Sequence, residues 1–436
     1  MKEGAEMSGH TILNTAGSEL APGVVIAASL DTKGRQVAFL VQELDALGIP
    51  AIVIDCALRS APSTAVPAVT ASELARLAGT TIEDLRAQPD RAPALSRIMS
   101  GLDACMAQLE SGGLIRGVIG LGGGTNATLG ARAFAAVPYG RPKILVSTVV
   151  AGDTRPFIAG SDAVLIHSVV DFIGLGALLK ASLRRAAVTM QGLLEIPFWG
   201  DVPNCPIIAM TANGATTAGA EAAEAWLTHH ECETWTFHAR GSGGMAYERL
   251  ISEGRVTAAL DFATTETADE VLGGLRSAGP TRLEAAGRAG IPQVVVPGGI
   301  DLVNFSERHT VPPCYAERDL IVHTPSSVLM RSTGEESARI GQWIGAKLAA
   351  ARGPAAVLVP MRGFSSYDAP GRPHHDPQAC VAFTDAVEQA LANRRDIPVE
   401  RHDLHINDPE FGQLACARLW ELMSTHHDRK VESHDG

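Results

Sequence analysis

No apolar run in this chain approaches the roughly 18 to 20 residues needed to cross a bilayer. The start, Met1 to Leu20, carries Lys2, Glu3, Glu6 and His10 where a signal peptide would have its apolar centre. Residues 1–21 therefore read as a flexible tail, and the protein as cytoplasmic with no membrane partner. Basic charge is scarce as well: 36 Lys and Arg stand against 48 Asp and Glu, a net charge of −12, which opposes polynucleotide binding but leaves a single nucleotide compatible. Aromatics make up only 5% of the chain and form no stripe with basic residues, so a stacking platform for single strands is excluded. The seven cysteines are odd in number, scattered and free of any C-x-x-C pair, which excludes a disulfide framework and fits reduced structural thiols. The adjacent pairs His229-His230, His374-His375 and His426-His427 lack partners at zinc spacing and read as surface histidines. Neither G-x-x-x-x-G-K-[ST] nor the kinase set of loops is present.

What is present is an alternation of short apolar runs with longer helical patterns, the pattern that builds a parallel sheet covered by helices. With 436 residues, 46% of them hydrophobic, the chain can bury a large core, and its length favours two domains. Strands are expected at Val24 to Ser29, Ala51 to Asp55, Gly117 to Gly122, Lys143 to Thr148 and Ala163 to Ser168. A second set follows at Ile207 to Thr211, Thr234 to Ala239, Ala258 to Ala263, Gln293 to Pro297, Leu320 to His323, Ala356 to Pro360 and Glu400 to His405. Between the sets, Pro197, Pro203 and Pro206 mark a break, giving domains 22–203 and 204–436. The halves echo each other: Gly140 to Thr148, Asp153, Phe157 and Asp162 to His167 align with Gly290 to Gly298, Asp301, Phe305 and Asp319 to His323. The fold class is α/β, two doubly wound domains from a divergent tandem duplication, with ligand sites expected at the carboxyl ends of the strands.

The segment Gly117-Val-Ile-Gly-Leu-Gly122-Gly123-Gly124-Thr125-Asn126 runs from an apolar strand through consecutive glycines into a helix start. Glycines admit positive φ and close approach of a ligand, while free N–H groups at a helix N-terminus favour an anion. Tight turns in α/β proteins supply the same pattern without a ligand. Two further loops are expected on this edge. Ser29-Leu-Asp31-Thr32-Lys33 brings an ammonium that can neutralise phosphate and, in Asp31, a carboxylate that can hold Mg²⁺ through water, or else an N-cap and a solvated lysine. Ser147-Thr148, followed by Gly152-Asp153-Thr154, offers hydroxyls and N–H groups for phosphate or ribose, or ordinary turn chemistry. Ser168 and Asp171 can add a ribose or metal contact.

In the second half the glycines of the first-half cradle are replaced near Ala263 to Glu266. Another glycine loop, Phe237-His-Ala-Arg240-Gly241-Ser-Gly-Gly244-Met, carries an arginine and can bind an anionic substrate such as a carboxylate. With Asp261, Glu266 and Asp301, Arg240 is expected to line one cleft as the catalytic group, although capping and turn formation explain the same residues.

These motifs, in this order, resemble the UPF0261 or Tm-1-like family. The resemblance rests on Asp31-Thr-Lys33, Gly122 to Thr125, Pro142 to Thr148 with Gly152 to Thr154, and Ser168 to Asp171. It continues through Phe237 to Ala239 with Gly241 to Gly244, Asp261 with Thr264 to Glu266, Gly299 to Phe305, Pro360 to Pro373 and His405 to Phe411. It implies two Rossmann-like domains, ATP bound in the first, and a homodimer. It supplies no reaction. The expectation is an ATP-dependent enzyme or enzyme subunit acting on an unknown small molecule, or alternatively a nucleotide-responsive binding protein without turnover.

Overall fold

The computed structural model describes residues 20–59, 63–158, 160–200, 202–372 and 374–432. The expected tail, all but residues 20 and 21, lies outside them, as do Pro373 and the side chain of His427. The chain divides into two compact units, Met1–Val202 and Pro203–Gly436.

In the first unit five strands, β1 (Gly23–Ala28), β2 (Ala51–Asp55), β3 (Ile115–Gly122), β4 (Lys143–Ser147) and β5 (Val164–His167), form one parallel sheet in the order β2-β1-β3-β4-β5. The central strands are apolar from end to end because both faces are covered, as a parallel sheet demands. Alternate residues go to opposite faces. Val25, Ala27, Ile54, Val118 and Leu145 pack with helices Ala71–Leu77, Arg91–Ser111 and Gly124–Ala135. Val24, Ile26, Ile119, Leu121 and Val146 pack with helices Leu30–Asp45 and Ala177–Glu195. The sheet is therefore doubly wound, and its order reverses between β1 and β3, where a ligand crevice opens in such folds.

The second unit contains β6 (Ile207–Ala212), β7 (Glu233–His238), β8 (Ala258–Ala263), β9 (Gln293–Gly298), β10 (Leu302–Phe305), β11 (Leu320–Thr324), β12 (Ser327–Arg331), β13 (Ala355–Pro360) and β14 (Val399–His402). Six of them form a parallel sheet in the order β14-β13-β9-β8-β6-β7. Counted within the unit and from the β7 edge, this is the first unit's order with one strand added. One detail of the expected alignment is overturned. Asp319 to His323 does not correspond to β5, because β11 belongs to a separate antiparallel sheet, β10-β12-β11, inserted after β9. The strand in β5's topological position is β13. Both versions of that segment are short and apolar, so strand pattern alone does not tell them apart. No helix among the described residues is long and apolar enough to cross a membrane.

Candidate functional site

In the first unit the four predicted loops leave neighbouring strands on one edge. At the β1/β3 reversal the Ser29 backbone N–H donates to Asn126 Oδ1 at 2.9 Å, tying the two loops together. Gly122 sits at φ 129°, and a Cβ there would lie 2.7 Å from Asn126 Cβ, so this glycine is required by the fold. Gly123 and Gly124 are different. Neither has positive φ; a Cβ on Gly123 would meet only Thr148 Oγ1 at 3.9 Å, and one on Gly124 would meet nothing within 4 Å. Packing and backbone geometry therefore leave both positions free to carry a side chain. The helix Gly124–Ala135 that follows has no side-chain cap, and its first N–H groups present positive partial charge at the crevice; across the reversal the first N–H of helix Leu30–Asp45 already donates to Asp55 Oδ1 at 3.2 Å.

The other predicted residues divide into those free to meet a ligand and those already used. Lys33 Nζ donates to the Phe172 carbonyl at 3.2 Å, where Gln36 Nε2 also donates; no carboxylate among the described residues pairs with Lys33. Asp31 Oδ1 is a buried acceptor without a hydrogen-bond partner, and Asp55, held up by burial, adds a second carboxyl nearby. Thr32 donates to the Ser29 carbonyl at 3.3 Å. Thr125 and Thr148 are half-buried and Gly152 exposed beside them. Ser147 and Ser168 are fully buried, and their hydroxyls are spent internally, on the Gly122 and Val170 carbonyls. Both donor protons thus serve to close the strand ends. Asp153 pairs with Arg155 at 2.7 Å, which lowers its carboxyl's pKa, and Thr154 turns its carbonyl to the next helix. Asp171 is exposed and accepts from the Phe172 N–H. A hollow lined by Gly140, Pro142, Lys143, Asp162 and Phe198 lies at the opposite, amino-terminal end of β4 and β5. Its Lys143 is saturated by Pro138 O, Arg141 O and Asp162.

In the second unit the expected single cleft is absent. Arg240 is exposed, Asp261 and Glu266 are buried in one cluster, and Asp301 is buried in another. The first cluster surrounds Arg282, whose guanidinium meets Asp261 at 2.6 Å, Glu266 at 2.9 Å and Glu248 at 3.0 Å, and lies 4.9 Å from the Tyr247 ring centroid. Burial raises the pKa of Glu248 and Glu266 while Arg282 opposes it, and the three carboxylates hold Arg282 firmly charged. Glu266 also accepts from the N–H groups of Gly241 at 2.6 Å and Gly244 at 3.0 Å. The carboxylate of Glu266 thus fills the glycine loop from inside, and a Cβ on Gly244 would lie 2.0 Å from it. That loop is a cradle for the protein's own side chain. Sequence reasoning missed Arg282 and Glu248 because neither lies in a glycine motif.

The second cluster joins the loops after β9 and β13. Ser365 Oγ donates to Asp301 Oδ2 at 2.6 Å, and Arg331 Nη2 lies 3.7 Å from Asp368 Oδ2. Burial, partly offset by Arg331, raises Asp301 to about 7. His374 is 2% exposed, which corrects its reading as a surface histidine: the chain folds back so that the His374 N–H bonds the Tyr367 carbonyl. His229 is exposed as expected, and His230 stacks on Trp226. Ser365, Asp368 and His374 lie in or beside the Pro360 to Pro373 block, the one signal that marked them.

Residues 22–197 match the N-terminal domain of "Uncharacterised protein family (UPF0261)" and residues 205–423 match its C-terminal domain. A UPF0261 protein of Clostridium tetani is 36% identical over 92% of this chain and 98% of its own. Another, from Rhizobium meliloti, is 34% identical over 92% and 98%. The tomato ToMV resistance protein Tm-1(GCR237) of Solanum lycopersicum is 35% identical over 71% of this chain and 42% of its own length. Among solved structures, the glycosyltransferase SnogD from Streptomyces nogalater matches across 96% of this chain and 100% of its own with a TM-score of 0.19 and 12% identity, too distant to carry an argument.

Proposed function

The chain belongs to the UPF0261 family, and from that premise we propose that its first unit binds ATP, with its phosphates at the β1/β3 crevice. One observation carries the reading: Gly123 and Gly124 open an uncapped helix at the sheet's reversal, although neither packing nor φ requires a glycine there. Close approach of an anion to the main chain accounts for both. Lys33 supplies the neutralising charge. The residues fit Mg²⁺, since the unpartnered, buried Asp31 Oδ1 is the kind of oxygen that ion takes alongside phosphate and water. Bound there, Mg²⁺ would neutralise phosphate charge.

Ser147 and Ser168 at the crevice are committed to backbone carbonyls, so neither is a free nucleophile there. This favours a nucleotide-responsive binding role for the first unit taken alone. An ATP-dependent reaction on a small metabolite would draw its acid–base groups from elsewhere, including the second unit or a second copy in a homodimer. Calorimetry with ATP, with and without Mg²⁺, tests the binding. Absence of heat and of competition by ADP would reject it. Phosphate release or nucleotide exchange, measured with candidate metabolites, then separates enzyme from binding protein.

A further inference from the structure

Buried polar atoms in folded proteins nearly always have hydrogen-bond partners. In the second unit three neighbouring side chains break that rule together: Asp301 Oδ1, Arg331 Nη2 and both ring nitrogens of His374 are buried without a hydrogen-bond partner. They come from the turn between β9 and β10, the end of β12 and the segment before helix Pro377–Ala390. Their backbones are locked to one another. Arg331 Nε donates to the His374 carbonyl at 2.8 Å, Arg331 Nη1 donates to Ser332, and the Ser332 N–H donates to the Asp301 carbonyl at 3.1 Å. The Tyr367 ring lies 5.9 Å from His374 and walls one side.

We propose that Arg331, His374 and Asp301 form a binding site for a small monocarboxylate, independent of the nucleotide crevice. The Arg331–Asp368 ion pair, at 3.7 Å, lies beyond hydrogen-bond range and so leaves the Nη2 donor open. A metal is disfavoured by the guanidinium, and no group of three His, Cys, Asp or Glu among the described residues can hold one. A ligand carboxylate would accept from Arg331 Nη2 and from one His374 N–H, and would share a proton with Asp301 Oδ1. A phosphate dianion would meet Asp301 and Asp368 with too much negative charge. Access is from the side where Arg331 keeps 13% and His375 28% of its side-chain surface exposed. The titratable and charged groups facing the site are Asp368, His375, Cys380 and Asp319, besides the three named.

Asp301 holds its proton up to about pH 7 and His374 stays neutral down to about pH 4. Uptake of a carboxylate above pH 7 is thus linked to uptake of one proton, and affinity falls about tenfold per pH unit there. The test uses acetate as the probe on the full-length chain. Arginine and histidine side-chain NMR should show saturable shifts at Arg331 and His374 that chloride at equal ionic strength does not produce. His374→Phe removes two unpartnered nitrogens, so it should fold with an unchanged or higher melting temperature, yet weaken acetate binding by about tenfold or more. Asp301→Asn should bind acetate without the steep pH dependence. Absence of saturable shifts in the wild-type chain, or wild-type affinity in folded His374→Phe, overturns the proposal. Gly124→Asp, which addresses only the nucleotide crevice, should leave acetate binding intact.

Discussion

Gly124→Asp separates ligand chemistry from folding because the two should respond in opposite directions. The position is exposed, has ordinary φ, and would place the new Cβ in open space. It is also the first residue of an uncapped twelve-residue helix, where a carboxylate stabilises by about 0.3–1 kcal/mol. The nucleotide-free variant should therefore melt at the wild-type temperature or slightly above it. The same carboxylate would face the bound phosphate. One unit charge at ~5 Å with an effective dielectric of ~20 opposes another by about 3 kcal/mol, or roughly a hundredfold in affinity. Gly124→Ala, which adds a methyl group but no charge, should lose far less. Thermal melts without nucleotide, paired with calorimetry against ATP and Mg²⁺, read both effects. Unchanged ATP affinity in the folded Asp variant would refute the placement, and a large drop in melting temperature without nucleotide would show that the glycine is structural after all. Gly122→Ala is the contrast, since positive φ and the 2.7 Å approach to Asn126 make it destabilising with or without ligand.

Arg282→Met should destabilise the second unit by about 3–5 kcal/mol in urea denaturation, because it strands Glu248, Asp261 and Glu266 without their shared cation; a loss within experimental error would mean the cluster carries no net charge. Asp269 and Asp301 are both raised from 3.8 to about 7, mainly by burial. The folded state holds these protons longer than the unfolded one, so their contribution is full below about pH 4 and lost as pH rises through about 7. Asp301→Asn keeps an oxygen for Ser365 and should flatten the fall in denaturation midpoint across that window; an unaltered slope would count against the shift. Cys314 is the exposed thiol, Cys205 is partly exposed, and the other five are buried, with burial raising their thiols. Native labelling with a thiol reagent, read by peptide mass, should therefore modify Cys314 first, and early labelling of Cys56 or Cys380 would contradict the packing.

Local pattern made the α/β class, the strands of the two parallel sheets and the glycine-rich turn after β3 legible, because continuous apolar runs and glycine placement are properties of a few adjacent residues; β10 and β12 of the antiparallel sheet were not expected. The glycine loop at Gly241 to Gly244 was equally visible, but its occupant was not. Only the fold brings Glu266, from the first turn of the helix Thr265–Leu272 after β8, over the N–H groups after β7, and only burial around Arg282 turns predicted catalytic acids into internal counter-ions. His374 gives the same lesson in reverse: its neighbour His375 made it look like a surface pair, and a chain reversal buried it. Sequence by itself determined most of the strands and helices, since these depend on side-chain periodicity along the chain. Tertiary structure decided which polar groups are satisfied and which stay free for a ligand, since hydrogen-bond partners and desolvation come from residues tens of positions away.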